Sequence, residues 1–258
     1  MGSEMCIRDS SKSDVKLSRP VQVAEEIKIW VVEQGLQAGD RLPAEGNLIE
    51  RFGMSKGTIR EAMRILEAQG LIRTRTGPGG GSFVDEVSSQ RAKALLGNYF
   101  YFKELTIGDI YKLRLTLEPE LAASLAGNLS EEVLQLLETN MEQYAYPAAD
   151  LDEERAQHIA SLRFHGILAE QADNPLLGFI VDFMVNLLSD LTVYRRLYSP
   201  PNIELWQQGH DHQRALIQAL RNGDGDGARA IMADHMETAW KLMRQQEVEM
   251  QNRFISEM

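Results

Sequence analysis

The chain has 258 residues, 43% hydrophobic, 25% charged and 7% aromatic, which excludes a disordered tail protein and puts its length where one core begins to divide into two. No run approaches the ~20 apolar residues that cross a bilayer, no charged start leads into an apolar signal segment, and the lone Cys6 can close no intrachain disulfide; the expected setting is the cytoplasm, away from membrane. The net charge of −11 is uneven: residues 11–85 carry +1 and residues 86–258 carry −11, a domain boundary written in charge that leaves only the N-terminal part suited to phosphates.

Residues 1–10 read as an assembly scar outside the fold. From Ser18, with Pro20 in the first turn, Ala24, Ile27 and Val31 recur at helical spacing. Gly35 and Gly39 break the chain, and Arg41-Leu42-Pro43 is an extended lead-in to a short helix from Ala44 to Arg51 that Gly53 stops. Ser55 caps the next helix, whose buried stripe is Ile59, Ala62, Met63 and Leu66 and whose end is Gly70. Two helices about a Gly-containing turn form a helix-turn-helix. A strand over Leu71–Thr76, a Gly77–Gly81 turn and a return through Ser82-Phe83-Val84 then predict a β-hairpin wing. A nucleotide-phosphate loop is the other reading of these glycines, but no Gly-Lys-Ser/Thr follows and no helix opens directly after them.

After a linker at 86–90, helices are expected at 91–103, 107–127, 130–146, 152–172, 175–199, 204–222 and 226–250, with a kink at Pro119 and a tail at 251–258. The fold class is therefore mainly α: a winged helix-turn-helix over 11–85, with its small β-hairpin wing, followed by an all-α bundle over 91–250. The segment Asn222-Gly223-Asp224-Gly225-Asp226-Gly227 copies the start of a calcium loop, but its twelfth position is Ala233 where a bidentate Glu is required, so it reads as a turn.

The helix after Ser55 shows Lys56, Thr58, Arg60 and Arg64 opposite its apolar stripe, the division a recognition helix needs. Arg41, Arg73 and Arg75 are placed to add phosphate contacts, and a solvated basic face is the plain alternative. The blocks Gly39-Asp40-Arg41-Leu42-Pro43-Ala44-Glu45, Phe52-Gly53-Met54-Ser55, Thr58-Ile59-Arg60-Glu61-Ala62 and Leu66-Glu67-Ala68-Gln69-Gly70-Leu71-Ile72 resemble the GntR family of bacterial transcription regulators over residues 18–84. The resemblance implies DNA contacts by Arg41, Ser55, Lys56, Thr58, Arg60, Arg64, Arg75 and Gly79 at the wing tip. The family's three reading arginines fall here on Gly46, Lys56 and Arg60, and a frequent hydroxyl position is Gly57. Lys56 lacks the fork that grips a guanine edge, so an altered or looser half-site is expected.

Among five histidines, His165, His212 and His235 fall on apolar faces of three different helices. Singly, each reads as a core histidine; together, they offer nitrogen ligands for zinc or nickel. His210 reads as surface, and His158 is ambiguous. Arg114 shares a face with Ile110, Leu117 and Leu121, where it must be paired, either by Glu118 one turn on or by a ligand carboxylate. Residues 91–250 resemble the FCD effector domain of the FadR subgroup through Leu113–Pro119, Arg163-Phe164-His165 with Asp173-Asn174-Pro175, and His212–Leu216 with Ala228-Arg229 and His235. That resemblance implies a divalent metal held by one Asp and three His. The Asp position, four residues before His165, is Ser161, leaving room for water or an effector carboxylate. The expected partners are palindromic operator DNA, a second copy of the chain, and a small carboxylate or sugar-acid effector met by Arg114 and Ser161. An effector-controlled regulator, in repressor form, is the reading this favours. A helical metal-dependent phosphohydrolase built on His210-Asp211 is the enzyme alternative, and a module for protein partners alone is a third.

Overall fold

The computed structural model describes residues 17–256 apart from 102, 104 and 195–201. The expectations for residues 1–10 and for the chain at 195–199 lie outside the described residues. The chain divides into two compact units between Ala92 and Lys93.

The first unit holds α1 (Arg19–Glu33), α2 (Glu45–Phe52), α3 (Lys56–Gln69), β1 (Ile72–Arg75) and β2 (Gly81–Val84). Gly53 and Gly70 end α2 and α3 with φ of +62° and +80°, the left-handed conformation that glycine enters without a Cβ clash. At the second stop Gly70 N–H donates to Glu67 and Leu71 N–H to Leu66 (2.9 and 3.0 Å), closing the orphan carbonyls of the last turn. The hairpin pairs Ile72 with Val84 and Arg75 with Gly81 in antiparallel register. The lead-in before α2 joins it: Leu42 N–H donates to Ser82 O at 2.8 Å and Val84 N–H to Asp40 O at 2.8 Å. Val23, Ile27, Leu42, Leu48, Ile59, Leu66 and Ile72 form one buried cluster, so three helices and the wing share a core.

The helices α4 (Ser89–Tyr101), α5 (Ile107–Leu125), α6 (Glu131–Glu142), α7 (Leu151–Glu170), α8 (Pro175–Tyr194), α9 (Ile203–Asn222) and α10 (Gly225–Ser256) follow. Each expected helix exists, with ends moved by a few residues; α10 continues to Ser256, where a tail from 251 was expected. α5 continues through Pro119. Its start is a reciprocal capping box of Thr106 and Asp109, while Asp150 caps α7 by accepting from the Asp152 and Glu153 N–H groups. The acidic turn before α10 is a turn, as its missing twelfth ligand implies: Asp224 accepts from Gly227 N–H at 2.9 Å. α10 packs along α5 and α9, and α7 along α8. Leu121, Leu137, Phe164, Ile167, Val181, Leu216 and Met236 lie in their common core. Among the described residues no helix is long and apolar enough to cross a membrane.

Candidate functional site

Two groups of side chains carry chemistry, one in each unit. In the first, the Ser55 hydroxyl accepts from the Thr58 N–H at 3.2 Å and shares a hydrogen bond with the Thr58 hydroxyl at 2.9 Å, fixing the start of α3. Ile59, Ala62 and Leu66 anchor one face of that helix in the core, which turns Lys56, Arg60 and Arg64 outward. Lys56 and Arg60, 68% and 64% exposed, both face the Glu45 carboxylate, at 3.6 and 3.3 Å. Arg64 stands 3.4 Å from Glu61. Exposed pairs of this kind are worth ~0–1 kcal/mol, so DNA phosphates can replace the carboxylates at small cost.

In the wing, the Arg75 guanidinium lies 4.8 Å above the Phe83 ring, and Gly79 takes a φ of +79° at the tip. Arg41 does not stand free: its Nη2 donates to Gly80 O at 2.5 Å and so braces the tip, a part the sequence alone did not indicate. Nothing lies within 4 Å of where a Cβ on Gly46 would stand, and a Cβ on Gly57 would meet only Ser55 Oγ, at 3.9 Å. Both positions are open surface on the helix-turn-helix.

In the second unit a cavity of about 70 Å³ lies among α5, α7, α9 and α10. Glu154, His158, Ser161 and His165 reach it from α7 at spacings of four, three and four, one face of that helix. Arg114, 1% exposed, donates through Nε to one oxygen of Glu118, and His165 Nδ1 meets the other at 2.5 Å. Burial pushes the Glu118 carboxyl upward, but Arg114 and His165 outweigh it and hold it well below the usual carboxylate range. The Arg114 Nη2 is buried and has no hydrogen-bond partner among the described residues. Glu118, the internal partner the sequence allowed, thus takes one nitrogen of Arg114, and another is left over at the cavity.

Glu118 also fixes the His165 ring, so that Nε2 faces His235 Nε2 at 3.3 Å, with the two rings within 2° of parallel. Burial pushes both histidines below their ordinary pKa, with the charge of Arg114 adding to the effect. Two ligands at ~2.1 Å from a tetrahedral ion stand roughly 3.4 Å apart, so the pair has metal-ligand spacing, and Glu118 has the place of the carboxylate that orients a ligating imidazole. The third histidine is turned differently. His212 Nε2 faces Asp234 at 3.0 Å, while its ring lies 5.5 Å from that of His235. Ser161 is held within the wall, its hydroxyl and carbonyl accepting from Gln213 Nε2 at 3.2 and 3.3 Å, and Gln213 in turn accepts from the Tyr144 hydroxyl at 3.0 Å. Among the described residues no three His, Cys, Asp or Glu side chains are grouped to hold an ion.

His210 corrects a sequence reading. It lines the cavity, stacked at 6.0 Å on Trp206, with Nδ1 3.0 Å from Arg214. His158 also lines the cavity, and burial, helped by Arg114, brings its pKa down to about 3. Glu118 was named in the sequence only as a partner for Arg114, and Glu154 and Trp206 carried no motif of their own.

Comparison with known proteins matches residues 20–84 to the family described as bacterial regulatory proteins, gntR family, and residues 109–238 to the FCD domain. The putative L-lactate dehydrogenase operon regulatory protein of Escherichia coli K12 is 29% identical over 232 residues, covering 86% of this chain and 85% of that protein. The uncharacterized HTH-type transcriptional regulator YcbG of Bacillus subtilis is 31% identical over 215 residues, covering 83% and 85%. The solved structure of a GntR protein from Streptococcus agalactiae superimposes with a TM-score of 0.56 at 22% identity, over 88% of this chain and 99% of that one, a likeness of fold.

Proposed function

Because the chain belongs to the GntR family of bacterial regulatory proteins, with an FCD domain behind its DNA-binding domain, we propose that a small organic acid in the helical cavity controls its grip on operator DNA. The observation that carries this reading is the leftover Nη2 of Arg114, a buried cationic donor at the cavity wall. The E. coli relative named for a lactate dehydrogenase operon supports the same class of ligand. The protein acts in the cytoplasm as a repressor, released when the acid binds, and as a homodimer whose two α3 helices read a palindrome.

A divalent metal, zinc or nickel, belongs to this reading. His165 and His235 have the spacing to hold it, His212 is the neighbouring third nitrogen, and Ser161 leaves a position for water or an effector oxygen. When bound, the ion supplies positive charge to an anionic ligand. The residues themselves orient: Glu118 fixes His165, and Arg114 presents a donor to the carboxylate. No catalytic role is assigned to His210-Asp211, since His210 is engaged by Trp206 and Arg214.

The test combines elemental analysis of protein prepared without chelator or nickel resin with titration of operator-bound and free protein by short carboxylic acids. About one ion per chain, and an acid whose affinity changes on DNA binding, are expected. By linkage the operator and the acid must alter one another's affinity by the same factor. An acid that binds free and operator-bound protein equally defeats the regulatory reading. Protein that takes up no ion from added zinc defeats the metal part alone.

A further inference from the structure

The cavity wall holds a second unanswered polar atom, at the other end of the α7 face from His165. Glu154 accepts from the Asn202 N–H through Oε1 at 2.6 Å, while its Oε2 is buried and has no hydrogen-bond partner among the described residues. Glu154 and His165 are eleven residues apart, ~16 Å of helix rise, so Arg114 and Glu154 address different parts of one ligand rather than the same group. We propose that Glu154 reads a hydrogen-bond donor, a hydroxyl or an ammonium, on the acid whose carboxylate is seated on Arg114. The proposal rests on the carboxylate reading of the cavity and narrows it to bifunctional acids.

The reasoning is one of unmet capacity. Burial raises the Glu154 carboxyl pKa, with the Asn202 hydrogen bond opposing, which marks a group deprived of water. A simple acid leaves Oε2 unanswered, whereas an O–H or N–H on the ligand satisfies it. A site whose buried polar group is paired only by the right ligand rejects the analogue that lacks the pairing group. Charge favours the ammonium arm of that class: Glu118 already offsets Arg114, so an acid bearing an ammonium adds no net charge to the cavity, whereas one bearing a hydroxyl adds the same negative charge as its parent acid.

The experiment is calorimetric titration of the full chain with butyrate, hexanoate and octanoate and with the terminal hydroxy and amino forms of each, a series whose longer members reach from one group toward the other. Wild-type protein is expected to bind at least one donor-bearing acid ten or more times tighter than its parent acid. Glu154→Leu should collapse that ratio to about one with the parent acid's affinity little changed. Glu154→Gln keeps the Asn202 hydrogen bond on its single oxygen and turns an NH2 donor to the ligand, from which a hydroxyl can accept and an ammonium cannot; it should preserve a preference for hydroxyl and lose one for ammonium, which identifies the donor. Circular dichroism and melting confirm that both variants fold. A preference that survives in Glu154→Leu, or a wild type that favours the parent acids, overturns the proposal while leaving the carboxylate reading in place if Arg114→Lys abolishes binding. Failure of wild type to bind any acid of the series overturns both.

Discussion

Glu118 is the residue on which the cavity's electrostatics turn, because it is the shared acceptor of a buried guanidinium and a buried imidazole. Removing one partner of such a pair costs more than the pair itself contributes, since the other charge stays buried. Glu118→Gln is expected to lower stability by about 3–5 kcal/mol, read as a fall in the urea midpoint, and to release the orientation of His165. An unchanged midpoint means that Arg114 finds another partner. On the DNA side, Arg60→Ala is expected to cost about 1–3 kcal/mol against the best operator and less against non-specific DNA. Lys56→Ala should weaken all sequences alike and flatten the salt dependence by roughly one phosphate contact. Binding isotherms at several salt concentrations, on operator and scrambled duplexes, separate the two; equal losses on both duplexes for Arg60→Ala remove it from base reading. Arg114 could be singled out in the sequence because an arginine among leucines is chemically anomalous. Glu154 could not, because an acid in the first turn of a helix is what the helix dipole favours anyway.

At the level of elements, the DNA-binding unit was legible nearly to the residue, because its stops and starts are made by local chemistry: Gly53, Ser55 and Gly70 act within one turn of themselves. The wing's bracing was not legible, because Arg41 and Gly80 meet across 39 residues of chain. A Cβ on Gly80 would lie 2.6 Å from Arg75 O and 2.8 Å from Gly77 O. Gly80→Ala must therefore open the tip and loosen Arg41. Because the tip is exposed, the melting temperature should move little while operator affinity falls several-fold; unchanged affinity would show that the wing makes no essential contact. The helices around the cavity failed in a different way. Apolar periodicity selects the face that packs, and a cavity wall is polar, so α9 was read with His212 inward and His210 outward. The observed inward stripe contains Trp206, Gly209, His210 and Gln213, at helical spacing but mixed in polarity. Residues two apart on a helix stand ~200° apart, yet His212 is only 21% exposed and lies against His235, so both histidines are partly buried, on different sides of α9.

At the scale of the molecule, the two units differ in more than charge: all five histidines lie in the second, and the first has none. Burial lowers the pKa of His158 to about 3 and pushes His165 and His235 below their ordinary value. A histidine whose folded pKa is depressed takes up its proton first in the unfolded chain, so its contribution to stability is present above pH ~6.5 and is lost as pH falls toward the folded pKa. Glu118 has the same sign in a lower window: its contribution is present above the unfolded pKa of an ordinary glutamate and falls away only below about pH 4.5. Between pH 7.5 and 5.5 the histidines should act, each at up to ~1.4 kcal/mol per pH unit below its unfolded pKa. In metal-stripped protein, amide exchange corrected for its intrinsic pH dependence should therefore show protection of α7 and α10 peptides falling over that range, with α1 and α3 peptides unaffected. His158→Gln should remove up to one proton from the slope. Constant protection in α7 would mean that the cavity histidines take up protons alike in the folded and unfolded chain, and protection that rises as pH falls would mean that they are charged in the folded chain. The cavity would then carry positive charge of its own and attract an acid without a metal ion.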